Sequence, residues 1–235
     1  SNQAYCTDCH NANPHQDERI ASHLDSLACQ TCHIPQMAVR DATKMEWDWS
    51  AAGQDLPENP HEYLKIKGSF VYESNVKPTY AWFDGTISYR YLLGDIIDPN
   101  GITIMNQPSG SISDPKSLIY PFKVHVAKQP YDTTYNYLLQ PQTVGEGGYW
   151  KTFDWMSALE NGSKVVGLPF SGNYGFAETK MYWVTTHMVQ PAENALQCAD
   201  CHGESDRFDW LALGYYGDPM IWGGRDTSRI ETAQR

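Results

Sequence analysis

Apolar runs long enough to cross a bilayer are missing from this chain of 235 residues, and Ser1 opens no secretory signal. Positive charge is scarce: 17 Lys and Arg stand against 28 Asp and Glu, a formal net charge of −11. That balance argues against nucleic acid and against anionic membrane surfaces as partners, and membrane insertion is not expected. Catalytic signatures are missing too. Gly145 to Gly148 lacks the Lys-Ser/Thr ending of a phosphate loop and reads as a plain turn, and there is no nucleophile elbow and no zincin helix. The scattered carboxylates read as a solvated face.

Cysteine is also scarce, six residues in all, and every one belongs to a C-x-x-C-H motif. The motifs are Cys6, Cys9, His10; Cys29, Cys32, His33; and, far away, Cys198, Cys201, His202. In this spacing two thiols can add to the two vinyl groups of one haem while the adjacent histidine is held over the iron as proximal ligand. Zinc is the competing reading of paired cysteines and histidine, but a structural zinc site does not require His directly after the second Cys each time. His is 8 of 235 residues, so three chance placements have a probability of roughly a few in 100,000. No cysteine remains for disulfides, thiol catalysis or a second metal. Three c-type haems are therefore expected, and with them a core made largely of cofactor.

Three irons need distal ligands, and five histidines lie outside the motifs. Only four residues separate His10 from His15, too few to carry the chain to the opposite face of the same haem, so a ligating His15 serves another iron. His23 lies beside the apolar stripe Ile20, Leu24, Leu27 of a helix expected over Asp17 to Ala28. His187, in MYWVTTHMVQP, is the third distal candidate, preferred over the neighbouring Met188. His125 alternates with Val124 and Val126 on the polar side of an expected strand and is a weaker distal candidate; His61 has no visible partner. With two imidazoles on each iron no position is open to substrate, which argues for electron transfer over catalysis.

The expected fold is a multihaem c-type cytochrome of short helices and irregular loops wrapped around a haem chain, with a minor β-hairpin element. It forms one domain: a two-haem segment over 1–40, a Cys-free wrapping region over 41–185 and a third-haem segment over 186–235. The hairpin is expected where KPTYAWF and TISYRYLL flank Asp84-Gly85. Tyr149 to Glu160 reads as a helix closed by Asn161-Gly162, and Ala192 to His202 as a helix carrying the third motif. Haem is attached to such motifs outside the cytoplasmic membrane, so a periplasmic or extracellular chain whose export signal has gone is expected.

Several stretches, CHNANPHQDERIASHLDSLACQTCHIP, TKMEWDWSAAG, VKPTYAWFDGT, FKVHVAKQPYD, YWKTFDWMSAL, MYWVTTHMVQPAENALQCADCHG and LALGYYGDP, together resemble the octahaem tetrathionate reductase family. The resemblance runs over nearly the whole chain and implies distal roles for His15, His23 and His187. Family members carry eight motifs, and the three here correspond to their carboxy-terminal part; the family's lysine-ligated active-site haem lies in the part without a counterpart. Two functions follow as expectations. One is an electron carrier working with other multihaem cytochromes or redox proteins, or in a homopolymer, a nanowire, with His15 ligating a haem of the next subunit. The other is a fragment or subunit of a reductase of tetrathionate, nitrite or hydroxylamine.

Overall fold

The computed structural model describes residues 5–225. Ten strands follow in chain order: β1 Thr43–Asp48, β2 Tyr63–Leu64, β3 Gly68–Glu73, β4 Thr79–Phe83, β5 Ile87–Tyr89, β6 Thr103–Ile104, β7 Asn106–Pro108, β8 Leu118–Asp132, β9 Tyr137–Leu138 and β10 Tyr174–Val184. The α-helices are short: α1 Glu18–Ser22, α2 Cys29–His33, α3 Tyr149–Thr152, α4 Trp155–Val166, α5 Cys198–Cys201 and α6 Pro219–Trp222. Eight of the strands form one mixed sheet, while β5 and β7 pair separately. The β content is thus the frame of the molecule and not the minor hairpin expected.

The sheet is organised by β8, fifteen residues long. One edge pairs antiparallel with β10, from Phe122 with Val184 to Asp132 with Tyr174. The other edge is shared, by β4 along Leu118 to Phe122 and by β1, running parallel, along Val126 to Lys128. A strand with neighbours on both edges and packing on both faces loses the clean alternation that marks a half-solvated strand. Pro121 and Pro130 lie in β8 and donate nothing; their carbonyls accept from Thr185 and Leu139.

Asp84-Gly85 does turn the chain, with the Asp84 carboxylate accepting from the Thr86 N–H at 2.8 Å and its hydroxyl at 2.7 Å. The flanking strands nevertheless do not pair with each other: β4 joins β8, and β5 joins β7. A tight turn sets a local reversal, and the longer, more apolar β8 outcompetes β5 for the edge of β4.

The helix expected over Tyr149 to Glu160 is two helices. Phe153 adopts a left-handed conformation that ends α3, and Asp154 caps α4 by accepting from the Met156 N–H at 2.9 Å. Asn161-Gly162 lies inside α4, which continues to Val166 and ends on left-handed Gly167. Gly162 serves contact, not termination, because a Cβ there would come 1.7 Å from the Gln140 carbonyl oxygen. Gly162→Ala is expected to cost about 3 kcal/mol by forcing α4 off its neighbour; a urea midpoint within error of the parent would contradict this close approach.

Around α4, Tyr149 stacks on Trp155 at 3.9 Å between ring centroids, with Ala52, Tyr137, Leu139, Ala158 and Leu159 buried beside them. A second cluster, Leu27, Trp82, Ile119, Cys201, Phe208, Leu213 and Tyr215, joins the start of β8 to the motif-bearing segments. Each such large apolar side chain contributes roughly 1.5–3 kcal/mol when fully buried.

Candidate haem-binding site

All three motifs sit on helical turns: the first on a 3-10 turn over Cys6–Asp8, the second on α2, the third on α5. Positions i, i+3 and i+4 of a turn share one side, so the two thiols and the histidine of each motif can address a single group. The helix expected over Ala192 to His202 is broken into a 3-10 turn over Ala192–Asn194 and α5, joined by extended residues. Likewise the Asp17 to Ala28 segment is α1 followed by a 3-10 turn over His23–Asp25. Asp17 starts α1 by accepting from the Arg19 and Ile20 N–H groups.

Long-range hydrogen bonds gather the motifs onto the sheet. Ile119 of β8 donates to Ser26 at 2.7 Å and accepts from Ala28 at 3.1 Å and from the Thr31 hydroxyl at 2.6 Å, which docks the second motif. The third motif region is tied to the second by Leu196 N–H to the Cys32 carbonyl and Gln190 N–H to the His33 carbonyl. Arg207 spans the same junction, donating to the Pro35 carbonyl at 3.0 Å and the Tyr80 hydroxyl at 2.8 Å. Cys6 lies close enough to Cys29 to add to burial in raising its thiol pKa, and Cys32 packs with the buried cluster that contains Cys201. The motifs are therefore consecutive in space, first to second to third.

The histidines pair. The His15 and His33 rings lie 6.2 Å apart and within 6° of parallel. The His23 and His202 rings lie 6.1 Å apart at 66°. Two imidazole nitrogens bonded to one metal from opposite sides at about 2 Å each, with ring centres about 1.2 Å behind them, give centroids about 6.4 Å apart. Both pairs have a centroid separation of that size and each joins a motif histidine to one outside the motifs, so the residues present fit haem. In the second pair both Nδ1 atoms are engaged, His23 with the Arg19 carbonyl at 2.8 Å and His202 with Asp218 Oδ1 at 2.7 Å. Each ring then keeps Nε2 for a metal.

The remaining candidates stand apart. His10 has no imidazole facing it at such a separation among the described residues. His187 is exposed on the segment after β10, three residues before the Gln190 tie to His33. His61 stacks on Tyr72 at 4.7 Å. His125 shares a face of β8 with Lys123 and is half-buried there, with Nε2 enclosed and unpaired. Burial, then Lys123 and Lys44, push it down to about 4.

Three of the thiols, Cys29, Cys32 and Cys201, are shifted toward the protonated form. Burial first, then nearby Cys32, pushes Cys201 up to about 12, and burial also raises Cys29 and Cys32. Thiolate nucleophiles need the opposite shift. Among the described residues no three His, Cys, Asp or Glu side chains converge on a metal-sized point. Sequence reasoning missed Asp218, Arg207 and Trp210, whose ring lies 5.6 Å from that of His202. Only Asp218 left a trace in the sequence, as the Asp-Pro start of α6.

The model of the bacterial cytochrome c family matches residues 44–205. The solved octahaem cytochrome c from Shewanella oneidensis is 48% identical and superposes with a TM-score of 0.87, over 92% of this chain and 52% of that one. This chain thus spans about half the length of that relative. No curated protein matches. No helix among the described residues is long and apolar enough to cross a membrane. The local motif geometry, the paired imidazoles and these two matches agree: the chain belongs to the bacterial cytochrome c family and is a multihaem c-type cytochrome.

Proposed function

We propose that this chain is an electron-transfer protein carrying three c-type haems, one at each motif, with histidine on both sides of the irons. The observation that carries the reading is the pair of ring separations of that size, His15 to His33 and His23 to His202. Cys29 and Cys32 hold the second haem and Cys198 and Cys201 the third. Cys6, Cys9 and His10 hold the first, with His187 as its distal ligand. Each haem supplies a one-electron iron couple when bound. The protein's part is to fill the sixth coordination position, so that no substrate enters, and to keep consecutive sites close, Cys6 near Cys29 and Cys32 against the Cys201 cluster.

Haem attachment at such motifs supports export to the periplasm or beyond, with other multihaem cytochromes or redox proteins as partners. The inter-subunit role anticipated for His15 has no geometric support, because His33 of the same chain faces it. In a homopolymer the link would instead fall to His187, which is exposed and would then serve a neighbouring chain's iron in place of its own first site. The EPR spectrum of the holoprotein tests the reading: all iron low-spin is expected, and a dominant high-spin signal would overturn it.

One observation favours the second reading, a part of an oxyanion reductase. Lys44, Lys123 and His125 share a sheet face with Trp47, Phe70 and Tyr72, and Lys67 is close enough to repel Lys44. The Lys44 ammonium lies 4.0 Å from the Trp47 ring centre and 3.7 Å from that of Phe70. Burial first, then Lys67 and Lys123, brings it down to about 8. Among the described residues none of these three lysines forms an ion pair. Such a cluster suits a small anion. Reductant-dependent turnover of tetrathionate or nitrite would favour this reading, and its absence with wholly low-spin iron would leave the first.

A further inference from the structure

We propose that Asp218 is a positioning residue that makes the third site, held by Cys198, Cys201 and His202, the lowest-potential of the three. The proposal rests on the haem reading above and deepens it.

Asp218 Oδ1 lies 2.7 Å from His202 Nδ1, and the two side chains are only 10% and 14% exposed. Three further constraints keep the carboxylate there. Its Oδ2 accepts from the Gly203 N–H at 2.7 Å, its Oδ1 accepts from the Met220 N–H at 2.9 Å, and its backbone precedes Pro219 at the first position of α6. It therefore cannot swing into solvent without losing both backbone donors and the start of that helix.

A histidine that donates its Nδ1–H to a carboxylate has a more basic Nε2 and gives more charge to whatever metal that nitrogen binds. Little of either side chain is exposed, and Trp210 stacks on the imidazole, so the field of the carboxylate at His202 is less screened than at the surface. Both effects favour the oxidised iron and lower the potential. Among the described residues no carboxylate hydrogen-bonds to the other site histidines. Among the described residues His10, His15 and His33 make no side-chain hydrogen bond, and His23 donates only to the neutral carbonyl of Arg19.

The experiment uses the full-length holoprotein. In Asp218→Asn, which keeps the shape and an acceptor but removes the charge, one component of a spectroelectrochemical titration is expected to move positive. The equilibrium for reducing that component should shift about tenfold, which is about 59 mV for one electron, while the other two stay in place. Asp218→Glu, which restores the charge, should move it back towards the parent value. No shift, or an equal shift of all three, overturns the proposal.

The parent protein supplies a test that needs no variant. Axial rings tilted by 66° and rings within 6° of parallel give low-spin irons of different g-anisotropy. The strongly anisotropic signal of the tilted pair should be the last to disappear on reduction. If the parallel-ring signal persists to lower potential, the proposal fails. If low-spin signals of both kinds are present but ordered otherwise, this proposal alone falls; if they are missing, the haem reading falls with it.

Discussion

His23→Ala is expected to convert one iron of the holoprotein from low-spin to high-spin and to open it to carbon monoxide, leaving the other two unchanged. The His23 ring faces His202 across 6.1 Å, and its Nδ1 is fixed by the Arg19 carbonyl one helical turn earlier. Alanine leaves that hydrogen bond and the coordination position empty together. Nothing nearby replaces it, because α1 and the following 3-10 turn contribute no other imidazole or thioether. His15→Ala should do the same at the second site. The control is His61→Ala, which removes a ring stacked on Tyr72 and should leave the spectrum untouched. Spectra of the His23 and control variants that cannot be told apart would contradict the assignment of His23.

The largest expected loss of stability is at Asp132, at the end of β8. It is fully buried, and its carboxylate accepts from the Ser171 N–H at 2.7 Å, the Ser171 hydroxyl at 2.8 Å, and the Thr134 and Tyr135 N–H groups at 2.8 and 2.9 Å. Burial pushes its pKa up, but these donors together outweigh burial and hold it below the usual 3.8. Asp132→Ala strands several donors at the point where β8, β9 and β10 meet, at a cost on the order of 4 kcal/mol. The urea midpoint should fall at unchanged slope. The sign of the pH dependence follows: with the folded value depressed, the stabilisation is complete above the unfolded pKa and drains away as pH falls through the folded one. Acid sensitivity in that range should be reduced in the variant, and a midpoint shift under about 1 kcal/mol would contradict the role.

What was legible in the sequence was what is local. C-x-x-C-H is a covalent spacing within five residues, so the motif side chains can be read without knowing where the chain goes. The four-residue gap from His10 to His15 likewise tells which haem His15 cannot serve. That His33 faces it, and that His23 faces His202, depends on Ile119 holding the second motif against β8 and on residues 190 and 196 returning to it. Those contacts join positions scores of residues apart and leave no periodic trace. The sheet was hidden for a related reason. Ala127, Pro121 and Pro130 interrupt the alternation of β8, and pairing on both edges removes the pressure to alternate at all. At Asp84-Gly85 the turn chemistry was readable but the competition for the edge of β4 was not. Asp218 lay sixteen residues beyond His202, where only its helix-starting role was visible.

The most direct test of the central claim is the intact mass of the chain purified from a host that matures c-type cytochromes. The account predicts the polypeptide plus three haems, with no free thiol among the six cysteines. A mass equal to the bare polypeptide, from colourless protein with six reactive thiols, would contradict it.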